Sequence, residues 1–257
     1  MNNSDLARYG LLIVAGLVAG TMNAIAGGGS FVGFPAMVLA GLPPIAANAT
    51  NTVALFPGTI ASTWAYRASL PGVAGISLRL LLPITLAGGV TGAVLLLVTP
   101  GAAFDLVIPW LLLLATLTFA AGPRPGAWLR QHARIGRPTL IAIQFLLAVY
   151  GGYFGGAVGL MMLAVWTLID AADLKMLAGT RTLLVSTANG AAIICFLLAG
   201  AVRMPEMLAM MLSAILGGYL GARFALYLPA PMLRRFIVAL SALVTLGFFV
   251  RAWRHVS

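Results

Sequence analysis

The chain has 257 residues, 61% of them hydrophobic and 8% charged, against about 25% charged in an ordinary soluble domain. A soluble fold would expose more apolar surface than water tolerates, and a membrane β-barrel would alternate in polarity where these runs are continuous. The net charge of +10 comes mainly from arginines flanking apolar runs, as topology-setting charges do; the lipid bilayer is the expected partner and nucleic acid is not.

Residues 9–26 are a first apolar run, close to the roughly 20 residues a span needs. It ends at Gly27-Gly28-Gly29-Ser30. Glycine costs a helix about 1 kcal/mol relative to Ala, and in lipid the freed backbone N–H and C=O groups find no water. Such a break belongs where protein or a polar cavity supplies partners, so this stretch reads as a broken helix lining a pathway. Cleavage of the first run as a signal peptide would remove the motif and is not expected. Residues 31–40 are too short to cross alone. After Pro43-Pro44, residues 45–66 form a full span that opens with Asn48, Thr50, Asn51 and Thr52 and contains Pro57-Gly58.

Residues 67–79 are a basic connection. Residues 80–98 span, with Gly88-Gly89 and Gly92 for close helix approach, and residues 104–121 span again. Residues 122–138 hold Arg124, Arg130, Arg134 and Arg137 and no acid, as a cytoplasmic loop does. This loop divides the chain into a first transmembrane unit, 1–121, and a second, 139–257.

The second unit follows the order of the first. Residues 139–154 run into Gly151-Gly152-Tyr153-Phe154-Gly155-Gly156, with Gly159 beyond. Residues 160–169 are short, 170–175 polar, and 176–199, 207–228 and 232–249 are long apolar runs. Gly20 and Gly152 lie 132 residues apart, as do Gly27 and Gly159; Thr50 and Thr180 are 130 apart, as are Thr52 and Thr182. The expected fold is an all-α polytopic membrane protein. It is built of two homologous repeats of about 130 residues with glycine-broken helices, giving eight full spans plus two short segments. If the short segments also cross, there are ten crossings and the halves are inverted. The distribution of positive charge fits both arrangements; midplane sites formed between inverted repeats favour the second.

Arg181 is the sharpest candidate for a ligand contact. An arginine inside a span costs roughly 2.5–3.5 kcal/mol on insertion scales and marks function by default. Its planar fork can grip a sulfonate or carboxylate through two hydrogen bonds. The competing reading is an arginine that lies at the interface and snorkels, or one that pairs with Asp170 or Asp173. Asn23, Ser30, Asn48, Thr50, Asn51 and Thr52 form a neutral counterpart in the first half, with Thr180 and Asn189 in the second. Amides and hydroxyls can replace water around an anion, and helix N-termini near Ser30 and Ile45 would add positive dipole ends. Gly27, Gly28, Gly29, Gly155, Gly156 and Gly159 are the expected hinges of the pathway.

No catalytic constellation is present: no Ser–His–Asp set, no carboxylate pair within a span, and no Lys-Ser/Thr pair after the triple glycine, as a phosphate loop requires. The chain is not expected to be an enzyme. Cys195 excludes an internal disulfide and is expected to be a small buried side chain. His132 and His255 have no second ligand at metal spacing, so neither a metal nor another cofactor is expected.

The stretch AGTMNAIAGGGSFVGFPAMVLAGLPPIAANATNTVALFPGTIAS resembles the first motif of the sulfite exporter TauE/SafE family, also called toluene sulfonate uptake permeases. YGGYFGGAVGLMMLAVWTLI resembles its second motif, with Val158-Gly159-Leu160 where a run of glycines is common. The resemblance covers nearly the whole chain. It implies a multi-pass inner-membrane permease for small sulfur-containing or organic anions such as sulfite or sulfonates. The alternatives are an anion channel or a membrane protein without a transport cycle. A homodimer is one assembly open to such a chain.

Overall fold

The computed structural model describes residues 3–67, 70–73, 75–121, 136–169, 177–224 and 230–256. Most of the 122–138 loop and the polar break with Asp170, Asp173 and Lys175 therefore lie outside the described residues. Within them the fold is ten α-helices and one isolated bridge between Val73 and Ile76. In chain order the helices are α1 (Asn3–Ala26), α2 (Ser30–Leu39), α3 (Pro44–Ala65), α4 (Leu78–Val98), α5 (Gly101–Ala121), α6 (Arg137–Tyr153), α7 (Val158–Ile169), α8 (Ala178–Leu198), α9 (Met204–Phe224) and α10 (Ala230–Val256).

Six of them, α1, α4, α5, α8, α9 and α10, have the length and apolarity of a membrane span, where the sequence predicts eight. The two that fall short do so for different reasons. α3 has 22 residues, but Asn48, Thr50, Asn51 and Thr52 lower its hydropathy. α6 has 17 residues, a rise of about 25 Å against a hydrocarbon core of about 30 Å. α2 and α7 have 10 and 12 residues, the short apolar segments that the glycine breaks predict.

The helices pack across the two halves of the chain. α1 lies along α9 and α4 along α6, each pair running in the same direction. A Cβ at Gly20 would collide with the Ala214 backbone, one at Gly217 with the Leu17 carbonyl, and one at Gly221 with Thr21. In the other pair, a Cβ at Gly92 would meet the Val149 carbonyl and one at Gly152 the Gly89 carbonyl. Without a hydrophobic force between helices in lipid, such backbone approach is what holds them. Hydrogen bonds add to it: Thr21 Oγ1 donates to the Gly217 carbonyl at 2.8 Å, and Gln144 Nε2 donates to Thr85 Oγ1 at 3.0 Å. Arg8 of α1 pairs with the buried Glu206 of α9.

Two other pairs, α3 with α8 and α5 with α10, run in opposite senses. Along α3 and α8, Phe56 packs at Gly190 and Thr63 shares a hydrogen bond with Ser186 at 2.8 Å. Along α5 and α10, Asp105 faces Arg251 at 3.6 Å, Trp110 packs on Phe249, and Thr116 meets Thr245 at 3.1 Å. α3 antiparallel to α8, α8 joined by a short turn to α9, and α9 parallel to α1 together make α1 and α3 parallel. α2 is therefore the segment that carries the chain back between them. Cys195, expected to be buried, is part-exposed on α8.

Gly20→Ala is expected to destabilise the α1–α9 pair by about 1–3 kcal/mol, the cost of overpacking a close contact, read as a lower melting temperature in detergent. Gly247→Ala, which meets open space, is expected to leave stability unchanged or slightly higher. Equal effects of the two would show that the glycines are not close-packing positions.

Candidate functional site

α1 ends at Ala26 because Gly27 turns to φ +73°, a conformation that side chains with a Cβ avoid. Gly29 then packs so closely on the Ala19 carbonyl and Asn23 that a Cβ would not fit. α2 starts at Ser30, with the Phe31 amide donating to the Gly28 carbonyl at 3.1 Å. In the second half α6 ends at Tyr153, Gly155 takes φ +77° and Ala157 φ 60°, and α7 starts at Val158. The second break thus falls at Gly155–Ala157 and not at Gly159, which the 132-residue spacing pairs with Gly27. Gly159 lies inside α7 and makes room for a side chain: Cδ and Cγ of Arg181 stand 3.4 and 3.5 Å from where its Cβ would be.

Both breaks meet near the middle of α3, where a cavity of about 700 Å³ begins. Its volume lies within the range of small-molecule sites. It follows α3 from Thr52 to Tyr66, a rise of roughly 21 Å, between the C-terminal parts of α1 and α9 and the N-terminal part of α8. Tyr66 and Tyr219 at its outer end are exposed. The inner end stops at the second break, where buried aromatic rings close the packing. Phe154 meets Phe34 edge-on at 5.7 Å, Phe34 stacks on Phe248 at 5.4 Å, and Phe104 meets Tyr153 at 5.6 Å.

Asn23, Ser30, Arg181 and Asn189 line the cavity, as do Gly27, Gly155 and Gly159. Arg181 carries the only charge among the described lining residues, and among those described it faces no carboxylate within ion-pair distance. Thr52, the last of the neutral cluster on α3, lines it too, and so do Thr182 and Tyr66, which sequence reasoning missed as ligand contacts. Thr182 had entered only as a neighbour of Arg181 and a marker of the repeat.

Asn48, Thr50, Asn51 and Thr180 do not line the cavity. Asn48 Nδ2 donates to the Tyr153 carbonyl at 2.9 Å and ties α3 to the end of α6. Thr50 Oγ1 accepts from the Arg203 amide at 3.0 Å, fixing the turn before α9. Asn51 Nδ2 donates to Ser30 Oγ at 3.3 Å and lies one step behind the lining. Thr180 donates to the Pro71 carbonyl at 2.6 Å. Gly28, Gly29 and Gly156 also stand outside the lining, with Gly28 and Gly29 buried in the turn. Asn48 and Asn51 share a helical face with Thr52 and Leu55, but the two breaks cover them.

A family model described as Sulfite exporter TauE/SafE matches residues 12–248. A Sinorhizobium protein named "Probable membrane transporter protein ORF9" is 34% identical over 92% of this chain and 91% of its own length. The Escherichia coli K12 protein named "Probable membrane transporter protein YfcA" is 28% identical over 92% of this chain and 87% of its own. A "Probable membrane transporter protein" of Haemophilus influenzae is 29% identical, over 95% and 96%. No solved structure matches the chain. With a family model across almost its full length and a relative above 30% identity over nine-tenths of it, the chain belongs to the sulfite exporter TauE/SafE family of multi-pass membrane proteins.

Proposed function

We propose that this chain is a secondary transporter for small organosulfur and other small organic anions, such as sulfite or sulfonates, in the cell inner membrane. The observation that carries the reading is Arg181. It lies within the span α8, on a cavity whose described lining has no acid. A charge in that position is costly unless it serves a ligand, and a guanidinium matches the paired oxygens of a sulfonate. Asn23 and Ser30 supply neutral donors elsewhere along the same cavity. The start of α2 adds the positive end of a helix dipole near Ser30. The names of the relatives support transport, and the family description supports a sulfur anion.

The unit of the transporter is a repeat of five helices, 1–121 and 139–257, joined by the basic loop 122–138 on the cytoplasmic side. Three pairings support this: α1 on α9 matches α6 on α4, α3 on α9 matches α8 on α4, and α2 on α10 matches α7 on α5. The opposite senses of α3 and α8, and of α5 and α10, support inverted halves and ten crossings, five per half. A cavity open at Tyr66 and closed at Phe34 and Phe154 supports alternating access, in which one half rocks against the other around a central site. A channel would need both ends open at once.

Thermal melting of the purified protein, with all anions as choline salts, tests the substrate class. Sulfite, a sulfonate such as isethionate, or both are expected to raise the melting temperature in a saturable way, and acetate or sulfate to do so less. Arg181→Ala is expected to weaken that affinity by roughly 10–100-fold, the loss of a charge-assisted contact of about 1.5–3 kcal/mol. Arg181→Lys is expected to recover part of it. Stabilisation unchanged in Arg181→Ala would remove the arginine from the site, and a response to carboxylates alone would overturn the sulfur-anion class.

Gly159→Leu is expected to weaken the same affinity roughly tenfold, about 1.4 kcal/mol, by pushing the Arg181 stem out of its groove while the protein still folds. Counterflow in proteoliposomes separates a carrier from a channel, which conducts without it.

A further inference from the structure

The second helix break carries more than a hinge. At the end of α6 the Gly155 amide, which a continuing helix would give to the Gly151 carbonyl, goes instead to the Tyr150 carbonyl at 3.3 Å. A Cβ built on Gly155 would have three oxygens as its nearest neighbours. These are the Gly151 carbonyl at 3.5 Å, Asn189 Oδ1 at 3.8 Å and Thr52 Oγ1 at 3.9 Å, from α6, α8 and α3. Asn189 Oδ1 is buried and accepts no hydrogen bond. The Thr52 hydroxyl gives its proton to the Asn48 carbonyl at 2.9 Å, which leaves its lone pairs for another partner. Three acceptors converge on the space beside the Gly155 Cα, at a turn whose positive φ favours glycine.

We propose that this space is a binding site for an alkali cation, with sodium as the probe. An unmet buried acceptor costs free energy that a ligand can recover, and the carbonyl end of α6 carries the negative pole of its dipole. Unwound backbone carbonyls at such helix ends suit a monovalent ion. A divalent ion draws on carboxylates, and the described lining has none. Gly155, Thr52 and Asn189 all open onto the cavity, so the ion has a route in. The first break differs: nothing stands within 4 Å of a Cβ on Gly27, so only one of the two breaks forms this cradle.

Asn189 and Arg181 are eight residues apart on α8, a rise of about 12 Å. An anion between them has Arg181 on one side and the bound cation on the other, so each ion lowers the electrostatic cost of binding the other. That coupling role rests on the transporter reading; cation binding by the purified protein does not.

The test is melting in choline chloride with sodium chloride substituted at constant chloride and ionic strength. The expected result is a saturable rise in melting temperature that is lost in Asn189→Ala and in Thr52→Val and kept in Thr52→Ser. Asn189→Asp, which adds charge to the ligand set, is expected to lower the half-saturating sodium concentration. Should Asn189→Ala fail to fold, Thr52→Val and Asn189→Asp decide. Equal melting in sodium and choline, or an unchanged sodium shift in the variants, overturns the site. A sodium shift with no response to any anion overturns the anion reading and keeps the site; an anion response without a sodium shift overturns the site alone.

Discussion

Backbone amides and carbonyls inside a bilayer must find their partners within the protein, and the two helix breaks are where this chain meets that constraint most directly. Each break frees hydrogen-bonding groups near the middle of α3. Each is wrapped in protein: Gly29 against Ala19 and Asn23, Phe154 against Phe34, and the Tyr153 carbonyl against Asn48. The breaks keep α2 and α7 short and let α3 carry a cluster of amides and hydroxyls no lipid-facing helix would hold. They also lie at the inner end of the cavity that follows α3.

Glycine serves two separate ends in this fold. At Gly27 and Gly155 it supplies a positive φ, the conformational freedom that ends a helix. At Gly20, Gly92, Gly152 and Gly217 it supplies the absence of a side chain, so that one helix can rest on the backbone of another. The second use steadies the first. A broken helix stays in place because its unbroken part is fixed to a partner, α1 to α9 and α6 to α4.

Much of this was legible in the sequence because apolar runs and glycines leave strong marks. The ten segments, the turn after Ala26 and the placement of Asn23, Ser30, Arg181 and Asn189 on a cavity follow the pattern read from residue types. What was not legible depends on depth along a helix, which no periodicity records. Asn48 and Thr52 lie one turn apart on the same face, yet Asn48 binds the Tyr153 carbonyl and Thr52 meets the cavity. Spacing likewise pointed to Gly159 as a hinge. The chain turns four residues earlier, and Gly159 earns its place by admitting the stem of Arg181. Span counting failed at α3 because the polar groups near the site subtract from the apolarity by which spans are recognised, and at α6 because the second break ends the helix at 17 residues.

Because α1 rests on α9 and α4 on α6, neither half of the chain completes its own packing. During synthesis α1 enters the membrane long before its partner exists; Arg8 and Glu206 are separated by 198 residues. In that interval the glycine face of α1 meets lipid, and Arg8 has yet to meet its carboxylate. Contacts of such sequence separation form late, so insertion and folding of this protein are distinct events in time. The membrane first holds a row of loosely associated helices, and the cavity comes into being only when the ninth helix arrives to close it.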